Sequence, residues 1–182
     1  MLLTRKDVGS HIATAGEVAL DPAAITAGAG NDGSAVNGNT INRLLAGRGL
    51  AMSAKLVISF VTSLTATKKL TITAKVQHDS VSNLATVADY TTGGLRARFF
   101  NSGTPSASVW TPITLSSGSV PATDVATATG TNRGVLEFDI DLSGAKQYIR
   151  AVVTADLSNS ATDTVVIAGN LILGGFDVEP AA

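Results

Sequence analysis

The stretch VLEFDIDL, residues 135–142, decides the fold class. Apolar and acidic residues alternate through it without a break. Val135, Glu137, Asp139 and Asp141 fall on one side; Leu136, Phe138, Ile140 and Leu142 fall on the other. Side chains that swap faces at every residue are the signature of a strand with one wet and one buried face.

The same period recurs outward from it. SAKLVISF (53–60) puts Leu56, Ile58 and Phe60 on one face, and KLTITAKV (69–76) does so with Leu70, Ile72, Ala74 and Val76. With VTSLTATK between them, these two are expected to be antiparallel neighbours. LRARFF (95–100) places Leu95, Ala97 and Phe99 together, and VWTPITL (109–115) carries Pro112, which suits an edge or a bulge. QYIRAVVTA (147–155) and TVVIAGNLIL (164–173) complete a set of seven or eight strands separated by Gly, Ser and Asn clusters. The expectation is an all-β chain, an antiparallel β-sandwich or jelly roll over residues 51–178.

Residues 1–50 lack a sustained period. Pro22 to Asn39 is rich in turn formers, and only TINRLLAG (40–47) suggests a short helical turn stopped by Gly47. The expected organisation is a long irregular N-terminal arm and connection (1–50), the sandwich (51–178) and a tail (179–182).

Composition supports strands. Of 182 residues, 15% are charged and 4% aromatic, so the apolar content is mostly Ala, Val, Leu and Ile. Net charge is -1, which gives no global field toward nucleic acid or an anionic membrane. Charge is nevertheless uneven: residues 1–120 carry ten Lys/Arg against six Asp/Glu, and residues 121–182 carry three against eight. That asymmetry fits either a mixed folded surface or opposed patches that dock partners. The chain has no Cys, hence no thiolate chemistry and no disulfide. MLLTRKDVGSHIATAG has no apolar core of a signal peptide, and no run is long enough for a membrane helix, so synthesis in a cytoplasm is expected.

Motifs add little chemistry. GAGNDG (28–33) has the spacing of a dinucleotide-binding loop, but it lacks a preceding strand and a following helix. A flexible loop rich in positive φ is the better reading. Asp156, Asn159 and Asp163 could offer oxygens to Ca²⁺, though a solvated strand-connecting loop is the better reading. His78 and Asp79 are adjacent on a strand and so point apart; His11 stands in the arm. Glu137, Asp139 and Asp141 could do acid–base work or bind metal but read better as the wet face of their strand; Arg96 and Arg98 form a basic pair on one face of theirs, explained by neutralising neighbours across the sheet. No catalytic constellation emerges, and the chain is expected to bind or build rather than catalyse, without metal or cofactor.

One resemblance adds to this. DGSAVNGNTINR before SAKLVISF, then LTITAKVQHDS, then AKQYIRAVVTADLSNSATDTVVIAGNLILGG, resembles the capsid-stabilising cement, or decoration, proteins of tailed bacteriophages, the Bordetella phage cement protein family. The matching positions are Gln77, Tyr148, Ile149, Arg150 and Val165–Gly175; Gln147 departs from the basic residue common there. The resemblance implies a jelly-roll-like protein on the outer surface of a virion. It would bridge major capsid proteins of HK97-like fold and self-associate as a dimer or trimer. The arm would then supply contacts, with Leu2, Leu3, Arg5, Lys6, Val8 and Ile12 as candidate interface residues. Two other readings stand beside it: a tail or head–tail connector protein, and a carbohydrate-binding attachment module.

Overall fold

The computed structural model describes residues 16–45, 49–102, 109–158 and 162–176. The expected arm residues Leu2, Leu3, Arg5, Lys6, Val8, His11 and Ile12 lie outside the described residues, as does the tail. Among the described residues thirteen strands run in chain order: β1 (Gly16–Thr26), β2 (Ala35–Asn37), β3 (Ile41–Asn42), β4 (Leu44–Leu45), β5 (Gly49–Leu64), β6 (Leu70–Asp79), β7 (Ala88–Asp89), β8 (Gly94–Asn101), β9 (Thr111–Ile113), β10 (Val120–Ala126), β11 (Gly130–Asp141), β12 (Tyr148–Leu157) and β13 (Thr164–Phe176).

They form two sheets in which every pairing is antiparallel. Sheet A runs β1-β13-β5-β11-β8-β9, with β4 against β5; sheet B runs β10-β6-β12-β2, with β3 against β12 and β7 against β6. The sheets pack face to face. Leu56, Ile58, Phe60, Leu136, Phe138, Ile140, Ile167 and Leu171 from sheet A meet Leu70, Ile72, Ala74, Ile149, Val153 and Ala155 from sheet B in one buried core. This is the expected all-β sandwich, and the buried phase of β5, β6 and β11 is the one the alternation predicts. The strand order does not confirm the jelly-roll winding.

Several expectations need correction. β5 and β6 are not neighbours: β5 sits between β13 and β11, while β6 sits between β10 and β12 in the other sheet. Residues 65–69, with Thr67 at φ 65°, therefore arch from one sheet to the other. Residues 16–45 are not an irregular arm, so the sandwich does not begin at residue 51. β1 pairs with β13 from Gly16↔Ile172 to Thr26↔Thr164 and buries Ala19, Leu20 and Ile25. Two register shifts, around Leu20 and around Pro22, break its period and hide it from the sequence. The expected helical turn at 40–47 is instead β3 and β4 as far as it is described. β10 carries no clear strand pattern in the sequence, since Pro121 and Asp124 interrupt it.

Two features close the sandwich. Gly38 N–H donates to Ala151 O (2.8 Å) and Asn39 N–H to Ala19 O (3.0 Å), stitching sheet B to the β1 edge of sheet A. A Cβ on Gly38 would stand 2.0 Å from Ala19 O, so only glycine fits there. Farther along, Arg43 is 2% exposed. Its Nε donates to Lys146 O (2.9 Å), Nη1 to Ala51 O (2.7 Å) and to Leu142 O, and Nη2 to Ala145 O. The fork of guanidinium donors thus anchors the β11–β12 loop by its carbonyls.

Candidate interaction surface

The outward face of sheet A is built by the residues that alternate with the core. Register places Lys55 opposite Asp139 and Ile172, and Asp139 opposite Arg96; Val57 lies opposite Glu137, and Glu137 opposite Arg98. Cross-strand neighbours on one face stand about 4.5–5.5 Å apart at Cβ, close enough to pair. They do pair. Lys55 Nζ lies 2.5 Å from Asp139 Oδ1 and 3.4 Å from Glu137 Oε2; Arg96 Nη2 lies 2.9 Å from Asp139 Oδ2; Arg98 Nη2 lies 2.8 Å from Glu137 Oε2. Burial alone would raise the Asp139 carboxyl, but Lys55 and Arg96 outweigh it and hold Asp139 below the usual carboxylate range. The acidic row read from the sequence is therefore one half of an ion-paired ladder, and Arg96 and Arg98 are the other half. Asp141 takes a different job, accepting from Ser143 N–H at 2.9 Å.

Beside the ladder the face is apolar. Val61 pairs with Val166 at the middle of the sheet, and both are nearly half exposed, at 45% and 46%. Val18, on β1, is 53% exposed. At the β8 edge, Trp110 packs on Phe100 (centroids 6.0 Å apart) and under the Arg98 guanidinium (4.3 Å). A register shift between Asp139 and Ile140 forms a bulge at Leu95, which turns outward and is 65% exposed, contrary to its expected place beside Ala97. Leu95, Ile172, Leu173, Lys55, Arg96 and Asp139 line an open cavity of about 510 Å³.

Sheet B presents a polar exterior by contrast. Arg150 Nε donates to Gln77 Oε1 (2.9 Å), Gln77 Nε2 to Asp89 Oδ1 (2.8 Å), and Lys75 Nζ to Asp89 Oδ2 (2.8 Å). Gln77 and Arg150, singled out by the resemblance, are thus adjacent on β6 and β12.

The other candidates separate. His78 and Asp79 do not pair. Asp79 is buried and accepts from Ser80 N–H (2.6 Å), Thr86 N–H (2.7 Å) and Thr86 Oγ1 (2.9 Å), fixing the 80–86 loop. Burial would raise its pKa, but these donors overcome that and lower it. His78 Nδ1 accepts from Lys146 N–H (3.2 Å) and its ring lies 5.1 Å from Tyr90. Desolvation, then the charges of Lys146 and Arg43, push the imidazole below its ordinary 6.5.

GAGNDG is a turn, with Gly28 and Gly33 at φ 72° and 65°. The Asp32 carboxylate already accepts from Gly28 N–H (2.8 Å) and Leu157 N–H (2.9 Å), placing a negative charge where a phosphate would need donors. β2 follows rather than a helix. Asp156 is exposed and Asp163 buried, while Asn159 lies outside the described residues; no cluster of three metal-ligating side chains occurs among the described residues. No helix among them is long and apolar enough to cross a membrane.

No protein-family description and no curated protein sequence matches the chain. Among solved structures, it is similar to a chain in the structure of infectious bursal disease virus Gx strain. The two are 12% identical, with a TM-score of 0.25 over 89% of this chain and 44% of that one. This chain thus spans less than half of that chain's length, and the likeness carries no further argument.

Proposed function

We propose that the protein is a non-enzymatic structural component of a virion, one that decorates a phage capsid and clamps neighbouring shell subunits through its sheet A face. The observation that supports this most is the contrast between the two exteriors. Sheet B is covered by polar networks, whereas sheet A offers Val18, Val61, Val166 and Leu95 beside charges that already have partners. Pairing means that none of these charges is buried without a partner when water leaves, although their desolvation still costs part of the binding energy. Exposed apolar side chains gathered on one face are a usual mark of an interaction site.

Many copies on a symmetric shell turn a modest contact at each site into a large total resistance to internal pressure. A clamp of this kind needs no catalytic centre and no cofactor. The carbohydrate-binding alternative rests on Trp110 alone, which is 36% exposed and already stacked with Arg98 and Phe100.

The test is a Val61→Asp, Val166→Asp double variant, two changes on the outward face that leave the core intact. Heads lacking the protein should bind the native chain and resist heat or osmotic shock, while the variant should bind severalfold more weakly. Equal decoration by the folded variant would remove sheet A from the contact.

A further inference from the structure

Asn37 is the only asparagine in the chain that is followed by glycine. In such a pair the glycine amide nitrogen can close on the asparagine carboxamide, because no Cβ crowds the attack. The nitrogen gives up its proton and bonds to Asn37 Cγ, and the Cγ–Nδ2 bond breaks to release ammonia. Water then opens the cyclic imide. Cleavage of the new N–Cγ bond leaves aspartate. Cleavage of the original peptide bond leaves isoaspartate, in which the backbone runs through Cβ and Cγ and is longer by an atom.

The closed fold opposes this reaction. Asn37 is exposed at the end of β2, opposite Val152. Its nucleophile is engaged: Gly38 N–H donates to Ala151 O (2.8 Å). Next to it, Asn39 N–H donates to Ala19 O (3.0 Å) and Asn39 Nδ2 to Val18 O (3.1 Å). Ring closure turns Gly38 N toward the Asn37 side chain, so it breaks the bond to Ala151 and draws Gly38 out of the slot between Ala19 O and Ala151 O. β2 is three residues long and lies at the end of sheet B, the kind of element that opens locally. We propose that Asn37–Gly38 is a latent self-modification site, silent while the seam between sheet B and β1 is shut and reactive when β2 lifts, and that isoaspartate there keeps the seam from closing again. The slot has no room even for a Cβ on Gly38, so it does not take a lengthened backbone. The inference concerns the chain itself and does not depend on the capsid reading.

Peptide mass spectrometry of the full chain, aged in mildly alkaline buffer, follows the reaction at Asn37. Native protein should deamidate there at least about tenfold more slowly than the same chain in urea, since only the opened fraction reacts. Asn39→Ala removes the Nδ2 bonds to Val18 O and Asp21 Oδ1 but no reacting atom. It should raise the native rate severalfold and leave the rate in urea unchanged. Equal rates in the native and unfolded chain, or a native rate that Asn39→Ala does not move, would overturn the gate. For the product, amide hydrogen exchange should find Gly38 and Asn39 unprotected in the isoaspartate chain. Both should stay protected in Asn37→Asp, which carries the same charge on a backbone of normal length. Protection kept in the isoaspartate chain would overturn the lock.

Discussion

Replacing Arg43 by Met should be the most costly single change outside the apolar core. The side chain is 2% exposed and donates to the carbonyls of Lys146, Ala51, Leu142 and Ala145. Methionine keeps the stem and much of the volume but removes every donor. Buried acceptors left without a partner cost about 1–3 kcal/mol each, although loop movement and entering water recover part of that. Relief of the buried guanidinium's own desolvation offsets a further part. The expected net loss is about 3–5 kcal/mol, the range for breaking a buried charged network. Against a total stability of about 5–15 kcal/mol, this is a large fraction. Urea unfolding followed by far-ultraviolet circular dichroism would show it as a lower midpoint with an unchanged slope. Arg43→Lys should recover only part, because one ammonium cannot span four carbonyls set around a planar fork. A loss below about 1 kcal/mol for the methionine variant would mean that the 142–146 loop is held by something else.

Other consequences follow from particular contacts. Phe138→Ala should cost about 3–5 kcal/mol, measured by the same unfolding experiment, since its ring is buried between the sheets. Gly38→Ala should destabilise by about 1–3 kcal/mol or more, because its Cβ would meet Ala19 O at 2.0 Å and part the β1 edge from sheet B. Asp139→Asn should cost only about 1 kcal/mol, and less in high salt, since Arg96 beside it is 65% exposed and well screened. For pH, His78 has a lowered folded pKa, so the unfolded chain binds more protons below its ordinary 6.5. The His78 share of stability is therefore present above 6.5 and lost as pH falls through the lowered value. Denaturation midpoints of wild type and His78→Gln measured from pH 7 to pH 5 should diverge less at the acid end, with Lys146, Arg43, Asp79 and Tyr90 as the groups around the ring. Asp79, Asp89, Asp124 and Asp139 also have lowered values, so their shares persist above the usual carboxylate range and disappear in stronger acid.

Faces were legible in the sequence, and neighbours were not. The alternation in 135–142 and 70–76 gave the buried side of β11 and β6 correctly, because a period of two reports only which side is wet. It says nothing about whether a five-residue connection closes a hairpin or arches between layers, so β5 and β6 were read as partners although they lie in different sheets. β1 escaped notice because two register shifts and Pro22 scramble its pattern, although Leu20 and Ile25 are buried. Leu95 was placed inward for a similar reason: the bulge that turns it out leaves no local mark. The ladder on sheet A is half visible, since the acidic row and the basic pair each show in their own strand while their pairing does not. Lys55 completes it through a pairing that only the tertiary register reveals. Arg43 gives no signal at all, because nothing in TINRLLAG says that the Leu142, Ala145 and Lys146 carbonyls it binds lie about a hundred residues away.

The decoration role proposed for this chain requires many copies on every shell. The number of its copies relative to the major capsid protein in purified particles, by quantitative mass spectrometry, tests that most directly. A ratio near one, or a simple fraction such as about one third, is the expected result for a protein repeated over symmetric sites. A handful of copies per particle would rule out decoration and place the chain at a tail or connector instead.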